Sequence, residues 1–388
     1  MILQKLQLDN FRNFTKADLD LEDLTLLLGN NAQGKSNLLE AVYFLATSRS
    51  LRVEKEVQLI RRGEDFCRVS GEIEEDRLSV VGQPVSETGK QTTAQHESET
   101  RQLITNSQSI AKLEIAMQVR PYSLFLEKRV KVNGVTRRVA DYLGHLVVVY
   151  FSPEDINLVT GSPSLRRSFL DLSLAQTDKE YKKSLLSYAG TLVSRNRLLK
   201  RVKEGVARSM ELDFWNDQLV KSGGIVSSKR EAFFSELNRQ LSALDKKQPS
   251  GGFSLLYQQN QISEERLRQY LLREIAAGTS LVGPHRDDFI FELDGQPLAI
   301  FGSRGEQRTA VLELKIAELE FISRAIKGRP LLLLDDVFSE LDESHRRRVT
   351  SLIFGQQTII SAVEGEKLPN ELLGQAKIIR VGKGAVTL

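Results

Sequence analysis

The sequence predicts an α/β protein: a mixed sheet around a phosphate-binding loop, assembled from two separated stretches of chain, with a mainly helical lobe inserted between them. Three observations predict it. The apolar run Leu24–Leu28 enters Gly29-Asn30-Asn31-Ala32-Gln33-Gly34-Lys35-Ser36 and leaves into Asn37–Leu45, which has helical periodicity. Long helical patterns dominate residues 151–280. Strand and helix patterns alternate again beyond Leu281, where Leu331-Leu332-Leu333-Leu334 ends in Asp335-Asp336. The expected division is therefore 1–150, 151–280 and 281–388, the first and third parts folding together.

In chain order, residues 1–81 alternate apolar and polar positions, with Ile2, Leu6 and Leu8 in one strand and Phe66, Val69, Ile73, Leu78 and Val80 in later ones. From Gly82 to Ser109 the chain is rich in Gln, Ser, Thr and Glu, which cannot build a core and reads as a mobile surface loop. Strands resume near Leu113–Met117, Asn133-Gly134 marks a tight hairpin, and Leu146–Phe151 reads as a fully buried strand. After Pro153 the period becomes helical over Leu165–Ala175, Tyr181–Arg201, Leu212–Leu244 and Glu264–Ala276, with one strand at Phe253–Tyr257. Gly223-Gly224 is the one breaker pair inside the longest of these. The last part reads as strand Asp288–Leu293, helix Glu306–Ile326, strand Leu331–Leu334, a helix after Asp342 and strand Thr358–Ser361.

Of the 388 residues, 40% are hydrophobic and 27% charged, ordinary for a soluble globular chain with room for two or three domains. A net charge of +3 permits a basic face without demanding an anionic partner. The single cysteine, Cys67, excludes an internal disulfide and a multi-cysteine zinc site. His96, His145, His285 and His345 show no metal-ligand spacing. No apolar run reaches the roughly 20 residues of a membrane span, and Met1–Lys5 begins as a strand without a signal or transit segment. The expectation is a cytoplasmic protein with no membrane partner.

The chemistry begins at Gly29–Ser36. Its glycines let the backbone wrap a triphosphate with N–H groups pointing inward at a helix N-terminus. Lys35 reaches the β- and γ-phosphates of ATP, and Ser36 holds Mg2+. Leu331–Leu334 delivers Asp335 and Asp336 to the carboxyl edge of a buried parallel strand, where ligands of open α/β sheets sit. Asp335 is the expected magnesium carboxylate, and Asp336 orients or deprotonates the attacking water. A pair of helix-capping acids is the bland alternative.

Ser339-Glu340-Leu341-Asp342 resembles the D-loop of ABC-type ATPases, and Ser303-Arg304-Gly305-Glu306-Gln307 resembles the signature motif that opens a helix in them; taken alone, the first also reads as a turn and cap and the second as a capped helix start. The order of motifs resembles the RecF family, DNA recombination and repair ATPases related to the heads of SMC and Rad50 proteins. The resemblance runs nearly end to end. It is carried by Leu8-Asp9-Asn10-Phe11-Arg12-Asn13-Phe14, Lys131-Val132-Asn133-Gly134 and Phe151-Ser152-Pro153-Glu154-Asp155. Further on it is carried by Gly161–Asp171, Arg195-Asn196-Arg197-Leu198-Leu199-Lys200 and Gly283-Pro284-His285-Arg286-Asp287-Asp288.

The resemblance implies an ABC-type ATPase head with a helical arm lobe, and an ATP-dependent homodimer in which Ser303 and Gly305 meet the other protomer's γ-phosphate. It implies weak, DNA-dependent ATP hydrolysis and binding to double-stranded DNA near single-strand gaps. RecR and RecO are implied as partners in loading RecA, with a link to replication and the SOS response. Arg12 is expected either near the nucleotide, as in related heads, or as a buried structural arginine. Departures from the pattern are Arg304 and Glu306 in the signature, the absence of a Q-loop glutamine, Ser361 nearest the switch-histidine position, and Asp336 in place of a glutamate base. Glu154 or Asp155 stands where the Q-loop belongs. These changes suit a slow, timed clamp.

For DNA the candidates are Arg49, Arg52, Arg195 and Arg197, drawn from basic clusters that also include Arg61, Arg62, Arg166, Arg167 and Arg346–Arg348. Nothing reads as a base-recognition helix or aromatic platform, so backbone contact is expected. A solvated helix face is the alternative for each cluster. An ABC transporter's ATPase subunit and a small-molecule kinase are the competing classes. The long helical insertion opposes the first; the second leaves Ser303–Gln307 without a purpose.

Overall fold

The computed structural model describes residues 1–53, 55–75, 109–120, 126–245, 252–339, 341–363 and 368–387. The polar stretch from Gly82 lies outside these residues, except that Ser109 opens a strand.

The head is layered around one helix. A six-stranded antiparallel sheet runs in the order Phe14–Asp20, Ile2–Phe11, Phe66–Glu75, Ser109–Val119, Leu126–Val132, Val135–Arg137. Asn133 and Gly134, at φ +52° and +77°, make the two-residue turn that the Asn-Gly pair predicts. Beneath this sheet lies the helix Lys35–Thr47, buried at every position from Leu38 to Thr47. An all-round apolar helix is what burial between two sheets requires.

The second sheet is ordered Ala385–Thr387, Lys377–Gly382, Leu24–Leu28, Thr358–Ala362, Leu331–Asp335, Val148–Phe151. It is parallel except for its antiparallel edge strand Ala385–Thr387. The helices Arg304–Ile326 and Glu343–Ile353 cover its far face. Its strands Leu24–Leu28, Thr358–Ala362, Leu331–Asp335 and Val148–Phe151 are therefore buried on both sides, which explains why they read as largely apolar runs. Alternation still sorts the side chains. Leu331 and Leu333 join the core under the Lys35–Thr47 helix, and Leu332 and Leu334 join the core under Arg304–Ile326.

The inserted lobe contains helices Pro163–Ala175, Lys179–Lys203, Asp213–Asp245 and Glu264–Ala277. Gly223-Gly224 does not interrupt the third of these. A Cβ on Gly223 would stand 2.9 Å from the Tyr188 ring, so the glycine admits close approach of two long helices. The strand Asp288–Leu293, expected in the C-terminal part of the head, pairs antiparallel with Phe253–Gln258 instead. Its alternating Phe289 and Phe291 bury into the lobe core with Phe253 and Leu255, and this apolar face decides the placement.

Several charged residues of the RecF-like motifs of the lobe are structural. Arg166 grips Asp288 with both Nε (2.6 Å) and Nη2 (2.8 Å). Arg230 donates to Asp287 (2.7 Å) and Asp171 (2.6 Å). Arg195, expected as a DNA contact, is corrected by its burial: it is 0% exposed, donating to Glu274 (2.6 Å), Ser280 Oγ (2.7 Å) and Asn216 Oδ1 (2.8 Å). It shares an inward helix face with the buried Leu198 and Leu199, whereas Arg197 points out and is exposed. Among the described residues no helix is long and apolar enough to cross a membrane.

Removing one partner of a fully buried ion pair leaves the other charge unpaired. Arg195→Ala is accordingly expected to cost about 3–5 kcal/mol of stability, read from the urea midpoint. An unchanged midpoint would show that Glu274 is not held by this arginine.

Candidate nucleotide-binding and catalytic site

The loop Gly29–Ser36 is shaped before any ligand arrives. Ala32 and Gly34 take left-handed backbone at φ +62° and +116°, which turns successive N–H groups toward one concavity. Gly29 tolerates no side chain, because a Cβ there would lie 2.2 Å from the carbonyl oxygen of Val381. Asn13 Nδ2 donates to the Gln33 carbonyl (2.9 Å), and Asn37 Nδ2 donates to Asn13 Oδ1 (2.8 Å), bracing the loop from outside. Lys35 is 6% exposed, and its ammonium donates to the carbonyls of Gly29 (2.6 Å) and Asn30 (3.0 Å).

Strand alternation and register bring the second half of the site to the first. Asp335 shares its parity with Leu331 and Leu333 and so faces the Lys35–Thr47 helix. Its Oδ1 accepts from Ser36 Oγ (2.8 Å) and Ser361 Oγ (2.6 Å), and its Oδ2 accepts from Tyr150 OH (2.7 Å). Burial and the adjoining Asp335 carboxylate hold the Tyr150 hydroxyl well above its ordinary range, so it stays a donor. Asp336 is left-handed at φ +53°, and its N–H donates to Ser361 Oγ (3.0 Å). Ser361 thus ties the two aspartates together.

The cleft over the loop is lined by Asn31, Ala32, Gly34, Lys35, Ser36, Asn37, Arg52, Asp336 and Ser361. Ser36 and Asp335 offer hard oxygen donors 2.8 Å apart, a set that fits Mg2+ sharing phosphate oxygens. Asn37 also lines an adjoining cleft with Arg12, Asn13, Gln58, Ile60, Arg61, Arg62 and Lys383.

The remaining expected residues divide. Arg12 is committed to the buried Glu40, donating through Nε (2.7 Å) and Nη2 (2.8 Å), so it borders the adjoining cleft as a structural pair. Arg52, expected on a DNA face, lines the loop cleft, 3.7 Å from Glu154. Arg49 is exposed near it, at the mouth of a chamber between head and lobe. Ser303 caps the helix Arg304–Ile326 in a capping box with Glu306, whose carboxylate accepts from Ser303 N (2.7 Å) and Oγ (2.8 Å). Ser303, Arg304, Gly305 and Glu306 are exposed and lie outside the loop cleft, while Gln307 is buried. Ser339 Oγ donates to the Asp336 carbonyl (2.8 Å). Asp342 caps the next helix, held down to about 2 by the N–H of His345 and the hydroxyl of Ser344. His345 also meets Thr309 at 3.3 Å, joining this cap to the Ser303-capped helix.

Sequence reasoning missed Tyr150 and Lys315. A lone hydroxyl inside Val147-Val148-Val149-Tyr150-Phe151 was the available signal for the first. Lys315 was signalled only as one of several charges, with Glu313 and Glu318, among the apolar positions of the helix. Its ammonium sits over the rings of Phe151 (5.6 Å) and Phe169 (5.1 Å) and donates to Glu318 (2.5 Å). Burial pushes the neighbouring Asp155 carboxyl up to about 6, against the pull of Lys315 and the Ser152 N–H.

A P-loop strand and helix, an acidic strand one strand removed in the same parallel sheet, and a signature-like helix start define an ABC-type ATPase head. The model of the RecF/RecN/SMC N-terminal domain matches residues 2–378, and the chain belongs to the RecF family. It is 34% identical to the DNA replication and repair protein RecF of Bacillus cereus (strain B4264), over 100% of this chain and 98% of the relative. RecF of Bacillus thuringiensis (strain Al Hakam) is also 34% identical, with the same coverage. A solved structure of the recombination mediator protein RecF with ATP, in the RecFOR pathway, aligns at TM-score 0.82 and 28% identity, covering 100% of this chain and 98% of that one.

Two expectations follow. Tyr150→Phe removes one of the three hydroxyls on Asp335, and loss of such an outer support weakens metal binding by about 10-fold. The Mg2+ dependence of ATP binding reads this, and an unchanged dependence counts against it. For Asp155, the folded pKa of about 6 lies above the ordinary carboxylate value, so the folded state holds the proton better. Its contribution to stability is therefore lost as pH rises from about 4 to about 6. Asp155→Asn keeps the acceptor for Ser152 and should flatten that loss, seen by comparing urea midpoints at pH 4.5 and 7 with those of the wild type.

Proposed function

We propose that this chain is an ATP-dependent DNA-binding protein of recombinational repair and replication. In this reading ATP and Mg2+ close two copies head to tail over double-stranded DNA beside single-strand gaps. Slow hydrolysis reopens them, and RecO and RecR take part in loading RecA, with a place in the SOS response. One observation carries the dimer. The phosphate-binding half of the site is assembled within the chain, yet the Ser303-capped helix start is exposed and takes no part in the same cleft. A helix N-terminus with exposed N–H groups suits an anion, and a second copy supplies one.

The residues divide the work as follows. Lys35 exchanges the carbonyls of Gly29 and Asn30 for the β- and γ-phosphates. Ser36 and Asp335 hold the metal, with Tyr150 and Ser361 fixing the orientation of the carboxylate. The metal that Ser36 and Asp335 would hold would supply charge neutralisation to the phosphates. Arg52 leaves its long ion pair with Glu154 for the terminal phosphate. Asp336 orients the attacking water, and its aspartate side chain is one methylene shorter than a glutamate, which supports slow turnover. The ATP-bound RecF relative and the RecFOR pathway named with it support the nucleotide and the partners. Among the DNA candidates, exposed Arg49 and Arg197 are favoured, since Arg195 is buried and Arg52 borders the nucleotide cleft.

Sedimentation with ATP, with and without duplex DNA, tests the reading. Wild type is expected to form a dimer that retains DNA, and Lys35→Ala to remain monomeric and retain none. A wild type that stays monomeric at saturating ATP and retains no DNA sinks the clamp.

A further inference from the structure

The loop motif sets the direction of a bound nucleotide. Lys35, Asp336 and Ser361 lie at the phosphate end, and Asn37 is shared with the adjoining cleft, so the nucleoside points toward Asn13, Gln58 and Ile60. None of the described residues lining that cleft is aromatic, and Ile60 is its one aliphatic side chain. Among the described residues of its own chain, a purine seated there has no ring to stack on.

A ring stands exposed elsewhere, beside the other half of the site. Phe301 is 68% exposed and Ile300 is 73% exposed, two and three residues before Ser303. Their exposure is built in. Leu298 is buried as the anchor of the segment, and Gln307 Nε2 donates to the carbonyls of Leu298 (3.2 Å) and Gly302 (3.2 Å). A Cβ on Gly302 would stand 2.7 Å from the Leu298 carbonyl oxygen, so only glycine closes this turn. The segment is thus held in one shape that projects Phe301 outward with Ser303. Two residues span at most about 7 Å of chain, so a Ser303 placed on a partner's terminal phosphate carries Phe301 along that same nucleotide.

We propose that Phe301 of one copy stacks on the purine held in the nucleoside cleft of a second copy, completing a site that neither chain completes alone. The inference rests on the ATP-closed dimer proposed above. It assigns the receiving partner as this same chain and the recognised group as a flat nucleobase, with Ile300 packing at the rim.

The test uses the full chain with ATP, comparing wild type, Phe301→Leu and Phe301→Tyr by sedimentation velocity, with ATP affinity of the dilute monomer measured by equilibrium dialysis. Loss of a stacked ring weakens base binding by about 5- to 150-fold. Phe301→Leu, apolar but ringless, is expected to weaken ATP-driven dimerisation by that factor and to leave monomer ATP affinity unchanged. Phe301→Tyr, which keeps the ring, is expected to stay within about 2-fold of wild type. Equal dimerisation by Phe301→Leu and wild type overturns the stacking. Weakened ATP binding by the Phe301→Leu monomer also overturns it, because the ring would then act within its own chain. A wild type that never dimerises overturns the dimer itself and this inference with it, so the two failures are distinguishable.

Discussion

The carboxylate of Asp335 collects hydroxyls from Ser36, Tyr150 and Ser361, which stand 299, 185 and 26 residues away in sequence. Three parallel strands and the P-loop helix must hold their positions for this meeting to occur. Register is what secures it: Asp335 lies beside Ser361, and Leu333 beside Tyr150. A slip of one residue in any of these strands would turn the hydroxyl or the carboxylate to the opposite face. The apolar neighbours oppose such a slip, because Leu332 and Leu334 would then exchange cores with Leu331 and Leu333. Hydrophobic burial on both faces of the sheet thereby sets the polar geometry at its edge.

The helix Arg304–Ile326 is the second organising element. It starts at the exposed Ser303 and passes under the central sheet, and it packs against the lobe helix Asp213–Asp245. At its middle, the Lys315 ammonium lies between the ring of Phe151 on the head strand and that of Phe169 on the lobe helix. Its charge is compensated by Glu318, whose other oxygen accepts from Ser173 (2.5 Å). A buried, paired charge contributes little net stability but tolerates few alternative arrangements. Here it ties the helix that presents Ser303 to the strand that presents Tyr150. The Asp342 cap joins the same assembly through His345, which lies between Asp342 and Thr309.

The arginines separate what motif reading reaches from what it does not. Arg195 and Arg230 are spent on buried carboxylates, Arg166 on the half-buried Asp288, and Arg12 on Glu40. Each could have been a ligand contact on composition alone, since an arginine serves an internal carboxylate and an external phosphate with the same fork. Helical spacing shows that Arg195 and Arg197 point to different faces, but not which face is covered. Likewise the strand Asp288–Leu293 reads correctly as a strand, while its neighbour depends on packing between distant segments.

What the sequence by itself determined is local and contiguous. The P-loop conformation, the Asn-Gly hairpin, the capped start at Ser303 and the acidic end of Leu331–Leu334 each follow from a few adjacent residues whose backbone preferences leave little choice. Tertiary structure alone decided which side chains meet: Tyr150 and Ser361 on Asp335, Arg52 in the loop cleft, Arg195 in the lobe core, and the exposed Phe301 beside Ser303. The physical reason is that a residue's partner depends on sheet register and on which helix face is covered. Those are settled by the burial of apolar surface over the whole chain, not by any one segment of it.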